Sequence, residues 1–495
     1  MQTAIYQTEQ IRLLERSAEQ RFGISPQALM HRAGKVLFDC LLHRWPQARH
    51  IAIFCGIGNN GGDGYVLARL IHQRGLAVTV WQVGDTAKLK DHAKEAWDLC
   101  QQEGVHMLPF HLDADFPRPD VVVDAVFGIG LHRDLDAQLA QILEKMQQYD
   151  VPVLAVDIPS GIHADTGRVC GHAVRATVTV TFMGLKLGLL TGSGIAYTGE
   201  LICNDLQLPA ELFSAVAPAV EKIQQETFSL YCKPRPRDWH KGLSGHVLIV
   251  GGEVGLSGAP RMAAEAALRV GAGLVSVATH QEHAAVLNAS CPEIMCHGVT
   301  AGEALQALMA KADVIVLGPG LGQTEWSKAI CQQVLASKIP LVVDADGLNF
   351  LVTAKKITAH TQWVLTPHPG EAARLLGQKA EDIQHDRLSA LKALQSCYSG
   401  TVVLKGAGSL VLSPDSLPAL CDKGNPGMAS AGMGDVLSGV IGGLVAQGIP
   451  LDHAAKWGVY LHAVAGDLAA HASGERGLMA TDLFPYLHQL RNAQQ

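Results

Sequence analysis

An α/β protein of two domains is the fold class this sequence predicts, and three observations predict it. Its 495 residues exceed what one ordinary hydrophobic core organises. Short apolar runs of strand length alternate with helix-length segments in both halves, the pattern of mostly parallel sheets. The 51 glycines gather in turns that follow those runs, where backbone passes close to a ligand or to itself.

Taken in order, residues 8–44 read as helix, ending at Pro46. IAIFCG (51–56) reads as a buried strand entering GIGNNGGDG (56–64), and YVLARLIHQRG reads as a helix closed by Gly75. LAVTVWQVG (76–84), DVVVDAVFGIG (120–130) and VPVLAVDIPSG (151–161) are further strands, and TFMGLKLGL follows another strand-like run. A proline-marked stretch, NDLQLPAELFSAVAPAVEKIQQETF, separates domains expected at 1–215 and 225–495. The second half again pairs strands with glycine loops: KGLSGHVLIVGG (241–252), LVSVAT, DVIVLGPGLG (313–322), PLVVDADGLNFL (340–351), WVLTPHPGEAARLLG (363–377) and TVVLKGAGSLVLS (401–413). Helices are expected over GAPRMAAEAALRVGAG (258–273) and after AGMGD (431–435). The strand spacing differs between halves, so no internal repeat is read.

Composition excludes several classes of function. With 48% apolar and 17% charged residues the chain is globular rather than disordered. A net charge of −7 and the lack of a dense Lys/Arg block argue against nucleic-acid binding. The eleven cysteines form no CxxC and read as free thiols in a reducing compartment. The N-terminus carries charges where a secretory signal needs an apolar run. VLSGVIGGLVAQG (436–448) is too short to span a bilayer and is expected to be a buried helix. The expectation is a cytoplasmic protein with neither nucleic acid nor membrane as partner. No HExxH or Cys/His cluster supports zinc.

In the first half, polar groups fall at strand ends, where open α/β sheets bind ligands. Asn60, Asp124 and Ser160 could form an oxygen site for a hard cation, bind ligand hydroxyls, or make a structural network. GIGNNGGDG lacks the Lys-Ser/Thr of a P-loop, and its Asn-Asn departs from the dinucleotide pattern. The helix start that follows can still bind phosphate. Asp157 ends VLAVD, where a carboxylate can take or return a proton. Lys186 could supply an acid or a counter-charge, or be a surface lysine.

In the second half, AGMGD exposes backbone N–H groups at the positive end of an apolar helix. That suits charge developing on a transferring phosphoryl group, with Asp435 accepting a hydroxyl proton. Asp435 could instead only cap the helix. LKGAGS (404–409) brings Lys405 beside two glycines, as a second phosphate or nucleotide contact. Asp344 and Asp346 could orient phosphate-bound Mg²⁺ or water, or cap a turn. His368, in THPGE, is expected to face the crevice, as a substrate contact or a satisfied loop histidine. Glu371 is expected to support the next helix start.

Taken together, GIGNNGGDG, DAVFGIG, DIPSG, GLKLG, GPGLG, DADGLN, TPHPGE, LKGAGS and GNPGMASAGMGDVLSG stand in an order that resembles the bifunctional nicotinamide nucleotide repair enzymes. Those join an NAD(P)H-hydrate epimerase to an ADP-dependent (S)-NAD(P)H-hydrate dehydratase, and the resemblance covers almost the whole chain. It implies a Rossmann-like three-layer domain followed by a ribokinase-like α/β domain. It implies Asp157 and Lys186 for proton handling in the epimerase, and Asn60, Asp124 and Ser160 as K⁺ ligands. Asn59, Asn60, Gly61, Gly62 and Asp63, with Gly128, Ile129, Gly130, Leu131, His132, Arg133 and Asp134, would hold the nucleotide substrate. In the dehydratase Asp435 would be the base, with residues 431–434 supporting the phosphoryl group. Lys405, Gly406, Ala407, Gly408 and Ser409 would form the ADP site, with Mg²⁺ accompanying ADP. Gly322, His368 and Asp435 would contact the nicotinamide nucleotide, and Gly434 is a further nucleotide-binding position. The implied substrates are the hydrates NADHX and NADPHX, with ADP as co-substrate, and the implied assembly is a homo-oligomer. Ala431 departs from the glycine expected there, but the anion nest should survive through Gly432 and Gly434. The competing reading is an ATP-dependent small-molecule kinase in the second half, with a nucleotide-binding module before it.

Overall fold

In the computed structural model, which describes residues 4–113, 117–353 and 362–492, the apolar runs of the first half become a parallel sheet. The strands of this unit, Met1–Glu221, are β1 (Ala4–Tyr6), β2 (His50–Cys55), β3 (Ala77–Gln82), β4 (His106–Pro109), β5 (Val121–Ala125), β6 (Val153–Val156), β7 (Val178–Phe182), β8 (Leu185–Lys186) and β9 (Glu200–Asn204). Seven of them lie in the order β4-β3-β2-β5-β6-β7-β9, every neighbour parallel. Ile51 and Ile53 enter one apolar cluster, beside Leu37 and Leu67 of the helices Pro26–Arg44 and Asn59–Gln73. Ala52 and Phe54 enter another with Leu143 of the helix Ala137–Met146. Alternation along one strand therefore supplies both cores of a three-layer unit.

Three strands escape the sequence reading. β4 and β9 are sheet edges whose residues are partly or fully exposed, so no buried apolar run marks them. β1 is three residues long and pairs in parallel with β8, Tyr6 opposite Lys186.

The second unit, Lys222–Gln495, follows β10 (Val220–Lys222). Its strands are β11 (His246–Val250), β12 (Leu274–Thr279), β13 (Met295–Gly298), β14 (Val314–Leu317), β15 (Leu341–Val343), β16 (Trp363–Leu365), β17 (Thr401–Leu404), β18 (Ser409–Leu412) and β19 (Ala419–Cys421). They run β13-β12-β11-β14-β15-β16-β17-β18-β19, parallel as far as β17 and antiparallel beyond it. β13 is another edge strand the sequence reading omits, four residues long and partly exposed.

The stretch 436–446 is a fully buried part of the helix Met433–Ala446, as expected. It lies against the helix Gly258–Arg269, and glycine sets how closely they approach: a Cβ at Gly439 would stand 2.0 Å from the Ala263 carbonyl oxygen. Small residues there hold the start of the helix, and hence Asp435, over the ends of the strands. No helix among the described residues is long and apolar enough to cross a membrane. Gly439→Val should destabilise the second unit by ~1–3 kcal/mol, or about 2–12 °C in Tm at ~2–4 °C per kcal/mol. Thermal unfolding followed by circular dichroism measures it, and an unchanged Tm would show that the helices can move apart freely.

Candidate active sites

The first unit's strand order reverses between β2 and β5, the usual ligand crevice of an open α/β sheet. The loops leaving these strands touch, since a Cβ at Gly56 would lie 2.1 Å from the Val126 carbonyl oxygen. Asp124, at the end of β5, and Ser160 are fully buried, and Asn60 is 8% exposed. Ser160 donates its hydroxyl to Asp124 Oδ1 (2.6 Å) and its backbone N–H to Oδ2 (2.7 Å). Phe127 N–H in turn donates to Ser160 Oγ at 2.8 Å. Burial pushes the Asp124 carboxyl up to about 6, against the pull of these hydrogen bonds. The loop after β5 begins on Asn60, because a Cβ at Gly128 would lie 3.1 Å from Asn60 Oδ1.

Asn60, Asp124 and Ser160 offer one carboxylate, one hydroxyl and one amide, a hard oxygen set that fits an alkali cation. The buried Asn60 Nδ2 makes no hydrogen bond, leaving the amide without an evident protein anchor. No cluster of three or more His, Cys, Asp or Glu suited to a metal occurs among the described residues. Asn59, Asn60, Gly61, Gly62 and Asp63 form the first turn of the helix Asn59–Gln73. In the segment 128–134, expected from the sequence to bind nucleotide, Gly128 and Ile129 are half-buried, Leu131 is buried, and Gly130, His132, Arg133 and Asp134 are exposed. Asp134 is held by Arg168 at 2.5 Å.

Asp157 directly follows β6 with φ of 64°, a left-handed conformation that is uncommon outside glycine. Its N–H donates to the Val180 carbonyl at 2.8 Å. Lys186 is 1% exposed rather than on the surface, and its Nζ lies 2.5 Å from Asp157 Oδ1. The ammonium also donates to Thr181 Oγ1 (3.0 Å) and the Phe182 carbonyl (2.7 Å), which uses all three of its hydrogens. Thr181 Oγ1 and Phe182 N–H donate to the same Asp157 oxygen. Two further carboxyls sense this pair. Burial, then the charges of Asp157 and Glu15, push Asp63 well up, with Lys186 opposing. Burial also raises Glu15, which Lys186 lowers and Asp157 raises. Glu15 has no motif around it, and the sequence reading passed over it.

In the second unit the order reverses between β11 and β14. A Cβ at Gly251 would stand 1.9 Å from the Pro319 carbonyl oxygen, so these loops also touch. Glu253, 9% exposed, ties them by accepting from the Thr324 hydroxyl and from Ser327 Oγ at 3.3 Å. Gly322 N–H donates to Asp346 Oδ2 at 2.9 Å, and Asn349 donates to Oδ1. Asp344, 1% exposed, receives Lys405 Nζ at 2.6 Å, and Glu371 lies 3.7 Å from that ammonium. Burial by itself would lower the Lys405 pKa, but Asp344 and Glu371 outweigh it and raise it.

His368 caps the helix Pro369–Leu376. Its Nδ1 accepts from Gly370 and Glu371 N–H while Glu371 returns a bond to His368 N–H. The imidazole is half exposed, and its Nε2 is 3.5 Å from Glu371 Oε1. Glu371 thus supports the helix start and also joins His368 to Lys405.

Asp435 is the third residue of its helix, while Gly432, at φ of 89°, occupies the cap position. Its carboxyl is therefore not the cap that one sequence reading allowed. Ala431 does not take positive φ, so the departure from glycine costs no left-handed strain. A Cβ at Gly434 would lie 3.2 Å from Lys405 Nζ and 3.5 Å from Asp344 Oδ2, which places the helix start against that ion pair. Burial, then the negative Asp344, push Asp435 up to about 7, with Lys405 opposing. Gly406, Ala407 and Gly408 form the turn between β17 and β18, where Gly406 N–H donates to Ser409 Oγ at 3.3 Å. Beneath it lies Arg387, which the sequence reading also passed over.

Comparison with known proteins matches the two units to two different families. Residues 26–188 match the family described as YjeF-related protein N-terminus, and residues 247–489 match NAD(P)H-hydrate dehydratase. The chain is 48% identical over 490 residues to the bifunctional NAD(P)H-hydrate repair enzyme Nnr of Coxiella burnetii, covering 99% of this chain and 100% of that one. It is 42% identical over 495 residues to the enzyme of the same description from Escherichia coli K12, covering 99% and 94%. Among solved structures, the ADP/ATP-dependent NAD(P)H-hydrate dehydratase from Bacillus subtilis, co-crystallised with ATP and Mg²⁺, matches 55% of this chain and 99% of its own. The TM-score is 0.50 at 27% identity. With a Rossmann-like first unit, a ribokinase-like second unit and similarity running the whole length, the chain belongs to the family of bifunctional NAD(P)H-hydrate repair enzymes.

Proposed function

We propose that the chain repairs hydrated NADH and NADPH in two reactions: the first unit interconverts the R and S hydrates, and the second dehydrates the S form with ADP. The full-length identity of 48% to a bifunctional repair enzyme carries this reading. The two sites suggest how each reaction runs.

The hydrate bears a hydroxyl at C6 of the reduced nicotinamide ring. The ring nitrogen donates electrons as the C–O bond breaks, giving a planar iminium that water can attack from either face. Asp157 and Lys186, joined at 2.5 Å, move the protons: one is given to the departing hydroxyl and one is taken from the entering water. The segments 59–63 and 128–134 would hold the nucleotide. Asn60, Asp124 and Ser160 would hold K⁺, which when bound supplies positive charge at the strand ends.

Hydroxide is a poor leaving group, so the second unit converts it into a better one. Asp435 takes the proton of the C6 hydroxyl as that oxygen attacks the β-phosphorus of ADP, releasing AMP. The N–H groups of residues 431–434 and the Lys405 ammonium face the charge on the phosphoryl group. Phosphate then leaves with the push of the ring nitrogen, and loss of a C5 proton restores the double bond. Residues 405–409 would hold ADP, whose phosphates bring Mg²⁺ to neutralise their charge. Gly322, His368 and Asp435 would contact the nicotinamide nucleotide, with Gly434 beside the phosphoryl group. Free thiols at all eleven cysteines support a cytoplasmic setting, and the family suggests a homo-oligomer.

Hydrated NADPH in the S form, given with ADP and Mg²⁺, should yield NADPH and AMP in equal amounts, read by absorbance and nucleotide chromatography. A mixed R/S sample should be repaired to completion. Release of ADP from ATP onto another small molecule, with no NADPH recovered, would instead favour the kinase reading. Asp157→Asn should slow epimerisation by at least about 100-fold while hydrate binding measured by calorimetry persists. Retained epimerisation would remove Asp157 from the reaction. Asp435 near 7 is half ionised at neutral pH, and its base form grows as pH rises. Dehydratase kcat should therefore increase about tenfold from pH 6 to pH 8 and level off. A flat profile with unchanged Asp435→Asn activity would exclude it as the base.

A further inference from the structure

The turn assigned to ADP has two glycines at positive φ, Gly406 at 139° and Gly408 at 67°. Such a turn is loose unless something outside it fixes its peptide planes. Arg387, the first residue of the helix Arg387–Tyr398, lies directly beneath and is 1% exposed. Its Nη2 donates to the carbonyls of Leu404 and Lys405 at 3.2 Å each and of Gly408 at 3.5 Å. Its Nη1 donates to Gln384 Oε1 at 2.8 Å. A Cβ at Gly406 would stand 2.9 Å from Nη1, so a side chain there would have to displace the guanidinium.

We propose that Arg387 is the positioning residue of the ADP turn, its buried guanidinium drawing the carbonyls of residues 404, 405 and 408 inward so that the turn presents N–H groups to the nucleotide phosphates. The C=O and N–H of one planar peptide point opposite ways. Turning the Lys405 and Gly408 carbonyls toward the core therefore turns the Ser409 N–H away from it, and the Gly406 N–H toward the Ser409 hydroxyl, which accepts from it at 3.3 Å. Burial lowers the guanidinium pKa to about 10, which still leaves a full cation at neutral pH beneath an anion-binding turn. Lysine could keep that charge, but it lacks the planar fork that reaches several carbonyls at once. The inference rests on the proposed ADP-dependent dehydratase reaction.

The test is ADP saturation of the dehydratase reaction in the full chain, comparing the unaltered enzyme with R387M and R387K at saturating hydrated NADPH. R387M should raise the KM for ADP at least roughly tenfold, the equivalent of one or two lost hydrogen bonds. R387K should raise it about threefold, and in both variants kcat and the KM for hydrated NADPH should stay within about twofold. If circular dichroism shows R387M unfolded, R387K decides by the same criteria. An unchanged KM for ADP in the folded variant, or a loss spread equally over both KM values and kcat, overturns the positioning role. If the unaltered enzyme shows no ADP-dependent recovery of NADPH, the dehydratase reading falls and this inference with it. If it turns over normally and the variants keep their KM for ADP, only the role of Arg387 falls.

Discussion

Contact of backbone with backbone at the ends of neighbouring parallel strands is the constraint on which both sites depend. Gly56 meets the Val126 carbonyl in the first unit, and Gly251 meets the Pro319 carbonyl in the second, each at distances no Cβ could tolerate. Both contacts fall where the strand order reverses. There the loops would otherwise diverge, following helices to opposite faces of the sheet. Glycine lets them close instead, and polar residues a few positions further on arrive in one volume. The same closure brings the first turn of the helix Asn59–Gln73, with its unpaired N–H groups, to the first crevice, whereas close packing at Gly439 sets the start of the helix Met433–Ala446 beside Lys405 and Asp344.

The volumes so formed are dry enough that charge has to be arranged with care. Each holds one lysine, buried at Lys186 and partly buried at Lys405, and each lysine meets a carboxylate: Lys186 with Asp157, and Lys405 with Asp344 and Glu371. The balance differs between the sites. Around Lys405 the acidic groups outnumber the cation, and Asp435, arriving last beside Asp344, is left partly protonated near neutrality. A carboxyl so placed can accept a proton when the reaction offers one, whereas a fully paired carboxylate would be a weak base. At Asp157 the carboxylate and the Lys186 ammonium are in direct contact, and the same carboxylate oxygen also accepts from Thr181 and Phe182.

Most of the fold was legible because its strands are buried on both faces and so read as continuous apolar runs. Those that escaped are either edges, β4, β9 and β13, where half of each strand meets solvent and the pattern fades, or three-residue strands such as β1 and β19, too short to show a pattern. Strand-end polar residues were legible for a related reason: Asp124, Asp157, Asp344 and His368 each break an apolar run abruptly. Glu15, Glu253 and Arg387 gave no such signal. They lie in a helix, a loop and a helix start that look ordinary in sequence, and only packing brings them under or beside a site.

The sequence by itself determined the elements, their alternation, and the rule that functional side chains stand at strand ends, because periodicity and turn chemistry act over a few residues. Tertiary structure alone decided which of those side chains meet. Lys186 finds Asp157 across 29 residues and Lys405 finds Asp344 across 61. It also decided their proton affinities, since desolvation and Coulomb forces act through space and depend on everything packed around a group, whatever its place along the chain.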